Sequence, residues 1–399
     1  MPINKKRYCL LGYGILMLLC LGLIYGWSIF VAPLEAEFGW ARSQTSLTFT
    51  ISISCFCLGG LLGSFCTRKW GVRPTLFLSA GLLLLGFLGA SRISTLPGIY
   101  FSYGVGCGLG VGIGYNVLLN VMNQWFPDKP GFVSGMLLMG FGCGGMILGS
   151  LATALMGAMG WRNTFVLFGA LFFAVVLAGG FFIHLPRAGA ALPQSAAKKR
   201  AASQGQLELA PGGMLRRPSF WFYTLWCILL PAGGLMFIGN AAPICTQLGA
   251  DAALAAFGAG FLSVSNGAGR VLFGMLYDKQ GRKLTMLLIT AAFLAAAGLF
   301  LLAYGQSSMV ALFIAFLLTG LAYGGGPTVN AAFLQDFYGR QHFAANLSVL
   351  NLSLMAASFA GPPAAAAIQT ATGSYAGIAY LALALGVGGM GAMALIKRP

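Results

Sequence analysis

The chain has 399 residues, of which 58% are hydrophobic and only 8% charged. Soluble domains carry about 25% charged residues, so composition excludes one, and the length gives room for about twelve membrane spans of ~20 residues. The formal net charge of +16 does not indicate nucleic acid, because the cations gather where apolar runs end, as they do in cytoplasmic loops.

The N-terminus reads Lys5-Lys6-Arg7 and then a long apolar run. A signal peptide would be shorter and would end in a small-residue cleavage site. Trp27, Phe30 and Pro33 follow instead, which predicts an uncleaved first span over 9–33. Further apolar runs predict spans over 45–66, 75–91, 98–122, 131–156 and 163–184, the third being short for a crossing. A polar stretch from Pro186 to Pro218 follows, with Lys198-Lys199-Arg200 and Arg216-Arg217. Six more runs predict spans over 219–240, 256–277, 284–304, 309–332, 343–368 and 375–396. The expected fold is an all-α membrane protein with twelve transmembrane helices in two six-helix bundles. Residues 1–186 and 218–399 form the bundles, and 187–217 form a basic cytoplasmic linker.

With the N-terminus inside, only Arg42, Arg92 and Arg162 fall outside, and Arg270 lies within a span. Every other Lys and Arg is then cytoplasmic, which predicts cytoplasmic N- and C-termini in a multi-pass plasma (cytoplasmic) membrane protein. The lipid bilayer is its surrounding partner, and no nucleic acid is expected.

The 59 glycines suit close helix packing in lipid. Gly104, Gly106, Gly108, Gly110, Gly112 and Gly114 make two i, i+4 stripes that predict such packing. Gly140-Phe141-Gly142-Cys143-Gly144-Gly145 fits G-x-G-x-x-G, but that fingerprint binds dinucleotides only between a strand and a helix. Inside an apolar span it reads as packing. Of the nine cysteines, eight lie within or at the ends of apolar runs, and Cys245 falls in the expected loop 240–255. None has metal-site spacing, so inert thiols, no metal and no cofactor are expected. His184 and His342 sit at span ends.

Arg270 is the only charge predicted inside a span, eight residues before Asp278. On a helix that depth is about 12 Å, against a hydrocarbon half-thickness of about 15 Å. A cation there costs at least roughly 2.5 kcal/mol. All seven acids, Glu35, Glu37, Asp128, Glu208, Asp251, Asp278 and Asp336, fall in or beside polar breaks. The simplest partner is therefore an anion from outside the protein. Snorkelling works badly, because helical side chains lean toward the helix N-terminus, which here leads deeper into the bilayer. Asn266, four residues earlier, shares a helix face with Arg270 and can orient it.

The halves repeat. Lys69-Trp70-Gly71-Val72-Arg73 matches Lys279-Gln280-Gly281-Arg282-Lys283 at an offset of 210 residues, which also pairs Asn120 with Asn330. Two six-helix halves of the same sense are the parallel-repeat plan of a large transporter class. Gly274-x-Leu276-x-Asp278-Lys279-x-Gly281-Arg282-Lys283 resembles the loop signature of the major facilitator superfamily. Asn123-Gln124-Trp125-Phe126-Pro127-Asp128-Lys129, with Gly131 and Ser134-Gly135, resembles the narrower oxalate/formate antiporter branch, which is related to the monocarboxylate transporters. Tyr25-Gly26-Trp27 and Met214-Leu215-Arg216-Arg217-Pro218 extend the likeness along the chain.

That resemblance implies a major facilitator fold with Arg270 as substrate anchor. It also implies that Tyr25, Tyr115 and Tyr323 occupy places where relatives line the site with aromatic residues. Phe141 and Trp27 are further candidates, although either could simply pack. Proton-linked relatives place an aspartate where this chain has Asn266. Two departures stand out. The first-half place of Asp278 holds Arg68, and the second cation of the oxalate exchanger falls at about Leu354. The expected activity is secondary transport of a small carboxylate, a monocarboxylate above all, by exchange and by a functional monomer. A proton-linked monocarboxylate symporter and an oxalate-type dicarboxylate exchanger are the alternatives. A drug or cation exporter would usually need a buried carboxylate, and an enzyme would need a buried acid–base or metal cluster. No span shows either.

Overall fold

The structure is a computed structural model and describes residues 3–40, 42–186 and 207–398. Arg187, Lys198, Lys199 and Arg200 of the expected linker lie outside them. Among the described residues the chain is helical throughout, with no strand. In lipid this is forced, since a lone span can satisfy its own backbone groups only as a helix.

The first crossing is Ile3–Leu21, a 3-10 stretch Gly22–Gly26, and Trp27–Phe38. The second is Arg42–Trp70 and the third Val72–Ser91. The fourth runs through Leu96–Ile99, a π-helical stretch Tyr100–Cys107, and Gly108–Trp125. Pro130–Phe182 is one run of 53 residues broken at Gly160. At 1.5 Å per residue it would reach about 80 Å, roughly twice the ~40–45 Å of a bilayer, so it supplies the fifth and sixth crossings. After the short helix Pro211–Leu215 come Pro218–Gln247, Ala252–Gln280, Arg282–Gly305, Met309–Tyr338, Phe343–Thr372 and Gly377–Ala394, the seventh to twelfth. Among the described residues, ten helices are long and apolar enough to cross a membrane. Ala252–Gln280 is not among them, because Asn266, Arg270 and several Ser and Gly dilute its apolar character.

The third crossing, short by sequence, gains length at its start. Gly71 (φ 88°) reverses the chain in a single residue, so the helix begins at Val72. Gly281 (φ 75°) does the same 210 residues later, between the eighth and ninth crossings. A side chain would be strained at either φ.

Two compact units emerge. One holds Met1–Asp128, Gly140–Ser203 and Leu347–Asn351; the other holds Lys129–Met139, Gln204–Asn346 and Leu352–Pro399. The sequence suggested a single cut at the linker, but each unit includes a segment from the other half of the chain. Leu347–Asn351 joins the first unit through named bonds. Ser348 Oγ donates to Gly60 O at 2.8 Å, and Asn116 Nδ2 donates to Ser348 Oγ at 2.8 Å.

In the first unit the fourth-span glycines form the two stripes. Gly104, Gly108 and Gly112 face Ile51, Ser52 and Phe56 of the second span, while Gly106 and Gly110 face Gly86 and Leu83 of the third. Gly140 and Gly144 pack against Ile15 and Leu19 of the first span, so the dinucleotide-like run is a packing face inside a helix. Arg7 corrects the charge reading. It is 4% exposed, so Arg270 is not the only buried cation. Arg7 has a partner, with Nη1 and Nη2 bonded to Asp128 Oδ1 and Oδ2 at 2.9 and 3.2 Å and the guanidinium 4.6 Å from the Phe126 ring. The Trp-Phe-Pro-Asp run thus holds the first helix through Asp128 and Phe126, and the end of the sixth crossing through Trp125 Nε1, which donates to His184 O at 2.7 Å. At the opposite end of the first crossing, the bond from Arg162 at 2.5 Å, and then that from Trp161, hold the Glu37 carboxyl below the usual range.

In the second unit Gly320 and Gly324 of the tenth span press on Leu262, Ser265 and Asn266 of the eighth. Cys245 is a second correction. The seventh helix runs on to Gln247, so Cys245 is helical and 0% exposed, against Gly258, rather than in a loop. Cys9 is exposed. Leu85, Phe101, Val310 and Val387 are also exposed, as apolar side chains facing lipid should be.

Candidate functional site

The eighth helix starts where Asp251 Oδ1 accepts from Leu254 N at 2.7 Å. Asn266 and Arg270 lie well inside it. Arg270 is 3% exposed. Its Nε donates to Asn266 Oδ1 at 3.2 Å, which fits the lean of helical side chains toward the N-terminus. Its Nη1 donates to the carbonyl of Leu138 in the fifth span. Leu138 reaches it because that stretch packs without side chains in the way. A Cβ on Gly135 would stand 2.5 Å from Arg270 O, and Gly131 and Gly274 face each other. Asp278 caps the same stretch, accepting from Gly131 N at 3.0 Å and Phe132 N at 2.8 Å.

None of the seven acids reaches Arg270, because each is engaged elsewhere. Glu35 accepts from Thr45, Glu37 from Arg162, Asp128 from Arg7 and Glu208 from the amides of Arg340 and Gln341. Asp251 and Asp278 serve the helix ends described above, and Asp336 pairs with Arg398 at 2.6 Å. Among the described residues Arg270 makes no salt bridge. Its Asn266 and Leu138 partners are neutral and leave the charge uncompensated. A buried charge in that state calls for a counter-ion, and the planar fork of arginine suits a carboxylate.

Tyr323, in the tenth span, lies against Gly234 of the seventh, and its neighbour Gly324 faces Asn266. Arg270, Asn266 and Tyr323 thus belong to one unit. In the other unit Tyr25, Tyr115 and Phe141 form one cluster, with Tyr25–Phe141 at 5.4 Å and Tyr115–Phe141 at 5.2 Å between ring centroids. Tyr25 is placed there by the 3-10 stretch Gly22–Gly26. The structure adds Phe56, 5.0 Å from Tyr115 and 5.9 Å from Phe141. Sequence offered no signal for Phe56 beyond an apolar position in the second span. Trp27 is not part of that cluster. Its ring lies 4.6 Å from Tyr103, and its Nε1 donates to Thr45 O at 3.0 Å. Among the described residues no group of His, Cys, Asp and Glu could hold a metal.

Comparison with known proteins places this geometry in a family. The model of the Major Facilitator Superfamily matches residues 14–362 and 232–399. The oxalate:formate antiporter of Oxalobacter formigenes is 28% identical over 92% of this chain and 85% of that protein. Monocarboxylate transporter 13 of Bos taurus is 24% identical over 94% of this chain and 85% of its own length. Among solved structures, the proton:xylose symporter XylE bound to 6-bromo-6-deoxy-D-glucose superposes with a TM-score of 0.76 at 15% identity, covering 99% of this chain and 97% of that one. FucP in the outward conformation gives 0.66 at 13% identity, over 96% and 99%. At such identity the solved structures speak for the fold alone. The family is one of transporters rather than enzymes, and the chain belongs to the major facilitator superfamily.

Proposed function

We propose that this transporter moves small organic anions, monocarboxylates above all, by alternating access. One observation carries the reading: Arg270 is buried at 3% exposure with only neutral partners, while all seven acids are engaged at helix ends. A carboxylate from outside the protein supplies the missing charge. Arg270 binds it through the guanidinium fork, Asn266 holds the fork in place, and a low-dielectric surrounding strengthens the pairing. Tyr323, in the same unit as Arg270, offers a hydroxyl to a carboxylate oxygen; in the other unit Tyr25, Tyr115 and Phe141 are proposed as substrate contacts on the family resemblance alone. Trp27 serves by packing the first span. Similarity to an antiporter named for oxalate and formate, and to monocarboxylate transporters, supports the substrate class.

Exchange is the favoured mode. Proton coupling needs a cavity group that titrates near neutral pH, and the relevant place holds Asn266. The empty carrier keeps a bare cation, which resists reorientation, so an anion travels each way. The proposed setting is the plasma membrane, with both termini in the cytoplasm and the monomer as the working unit. Liposomes loaded with unlabelled carboxylate or left empty, with and without a pH gradient, test the mode. Counterflow should far outrun uptake into empty liposomes. Equal rates with the pH gradient would establish proton-linked symport instead.

A further inference from the structure

The repeat offset of 210 residues relates the fifth crossing to the eleventh, and Gly131 to Gln341. Asp278 holds the start of the fifth, accepting from Gly131 N and Phe132 N at 3.0 and 2.8 Å. Full symmetry would have residue 68 hold the start of the eleventh. That residue is Arg68, and a guanidinium carries only donors and cannot accept from backbone N–H groups. The turn just ahead of the eleventh helix has a carboxylate nonetheless. Glu208, from the stretch between the two halves of the sequence, accepts from Arg340 N at 3.2 Å and from Gln341 N at 2.8 Å.

The surroundings are built for this contact. Gly339 takes φ 83°, and a Cβ there would collide with the Glu208 carboxylate, so both backbone and space require glycine. Leu209 N donates to Tyr338 O at 3.0 Å, and buried Asn346 donates through Nδ2 to Leu209 O at 2.9 Å. Glu208 and Leu209 therefore bridge the tenth helix, the turn and the start of the eleventh. All of these residues, and Asp278 with its partners, lie in one compact unit.

We infer that Glu208 is a positioning residue of the transport cycle: with Leu209 it latches the turn that leads into the eleventh crossing, as Asp278 holds the start of the fifth. The two latches differ in kind. Asp278 is carried by a membrane helix, so its contact ties two spans directly. Glu208 sits just before the short helix Pro211–Leu215 and can leave Gly339 without moving any span. The stretch around Glu208 then sets how readily the carrier reorients.

The inference rests on transport by this family and not on the identity of the anion. The test uses the full chain in liposomes, with Glu208→Gln, Glu208→Ala and Asp278→Asn compared with wild type. Hydrogen exchange at 338–346 reads the latch without any substrate. It should quicken several-fold in both Glu208 variants and stay unchanged in Asp278→Asn, which should quicken exchange at 130–139 instead. Counterflow of formate or lactate reads the consequence. Both Glu208 variants should change turnover by about threefold or more with anion affinity unaltered, as expected of a conformational step. Glu208→Asp should recover part of the wild-type turnover. Unchanged exchange would overturn the contact. Faster exchange with wild-type turnover would reduce Glu208 to a local cap and overturn the latch. If no carboxylate is transported, the exchange measurement still stands, so failure of the substrate reading is distinguishable.

Discussion

Arg270 Nε donates to Asn266 Oδ1 at 3.2 Å, one helical turn back along the eighth crossing. An amide at 266 orients the guanidinium without neutralising it, and this choice of residue governs the expected behaviour of the site.

Arg270→Gln and Arg270→Ala should insert normally and lose anion-dependent thermal stabilisation. Hydrogen bonds to charged groups are worth about 1.5–3 kcal/mol, so affinity should fall at least about tenfold. Arg270→Lys keeps the charge but not the fork and should bind weakly. Uptake at the wild-type rate by Arg270→Gln would refute the anchor role.

Asn266→Asp should place a carboxylate beside Arg270. Paired with the cation, that carboxylate would take the place of the substrate anion, so anion affinity at pH 7 should fall by at least about tenfold. A thermal-shift titration with formate or lactate checks this, and wild-type affinity in Asn266→Asp would contradict the charge argument.

One unpaired cation balances one negative charge. Formate, acetate or lactate should bind more tightly than oxalate, and Leu354→Lys should move the preference toward dianions. A thermal-shift series over mono- and dicarboxylates reads this directly. Tighter oxalate binding by the unmodified protein would defeat the charge argument.

Gly112→Ala should destabilise the protein, because the added methyl meets the Phe56 backbone of the second span. Overpacking of this kind costs about 1–3 kcal/mol. Gly81→Ala, in the third span with nothing within 4 Å of its Cβ, should be neutral. Melting curves of the two variants in detergent make the comparison, and equal melting temperatures would refute it.

Cys245 is buried and cannot report topology. With Cys9 replaced by Ser, Ser307→Cys, exposed between the ninth and tenth helices, should react with an impermeant thiol reagent in intact cells. Labelling only after the membrane is opened would reverse the proposed orientation.

Much of the fold was legible because each crossing is a long apolar run. Even the weakest, near 75–91, lacked only the residues that Gly71 adds at its start. Arg270 stood out because its depth along a helix follows from spacing alone. The burial of Arg7 was hidden, since its partner Asp128 is 121 residues away and nothing in local pattern reports such a pairing. Phe56 was hidden for the opposite reason: a phenylalanine in an apolar span carries no mark of which face it occupies. The Leu138 carbonyl is a backbone group that any residue would supply. Glu208 looked like one more loop acid until the turn at Gly339 gave it two amides to hold.

The dilution of the eighth helix by Arg270, Asn266 and its small residues bears on biogenesis. A segment less apolar than its neighbours partitions poorly from the translocation channel into lipid on its own. The seventh and ninth helices, both apolar enough to cross, flank it in the order of synthesis and offer it a protein surface. Assembly of this carrier should therefore be most sensitive to mutation in those neighbours, and the residues that give the eighth helix its chemistry are the ones that make its insertion depend on company.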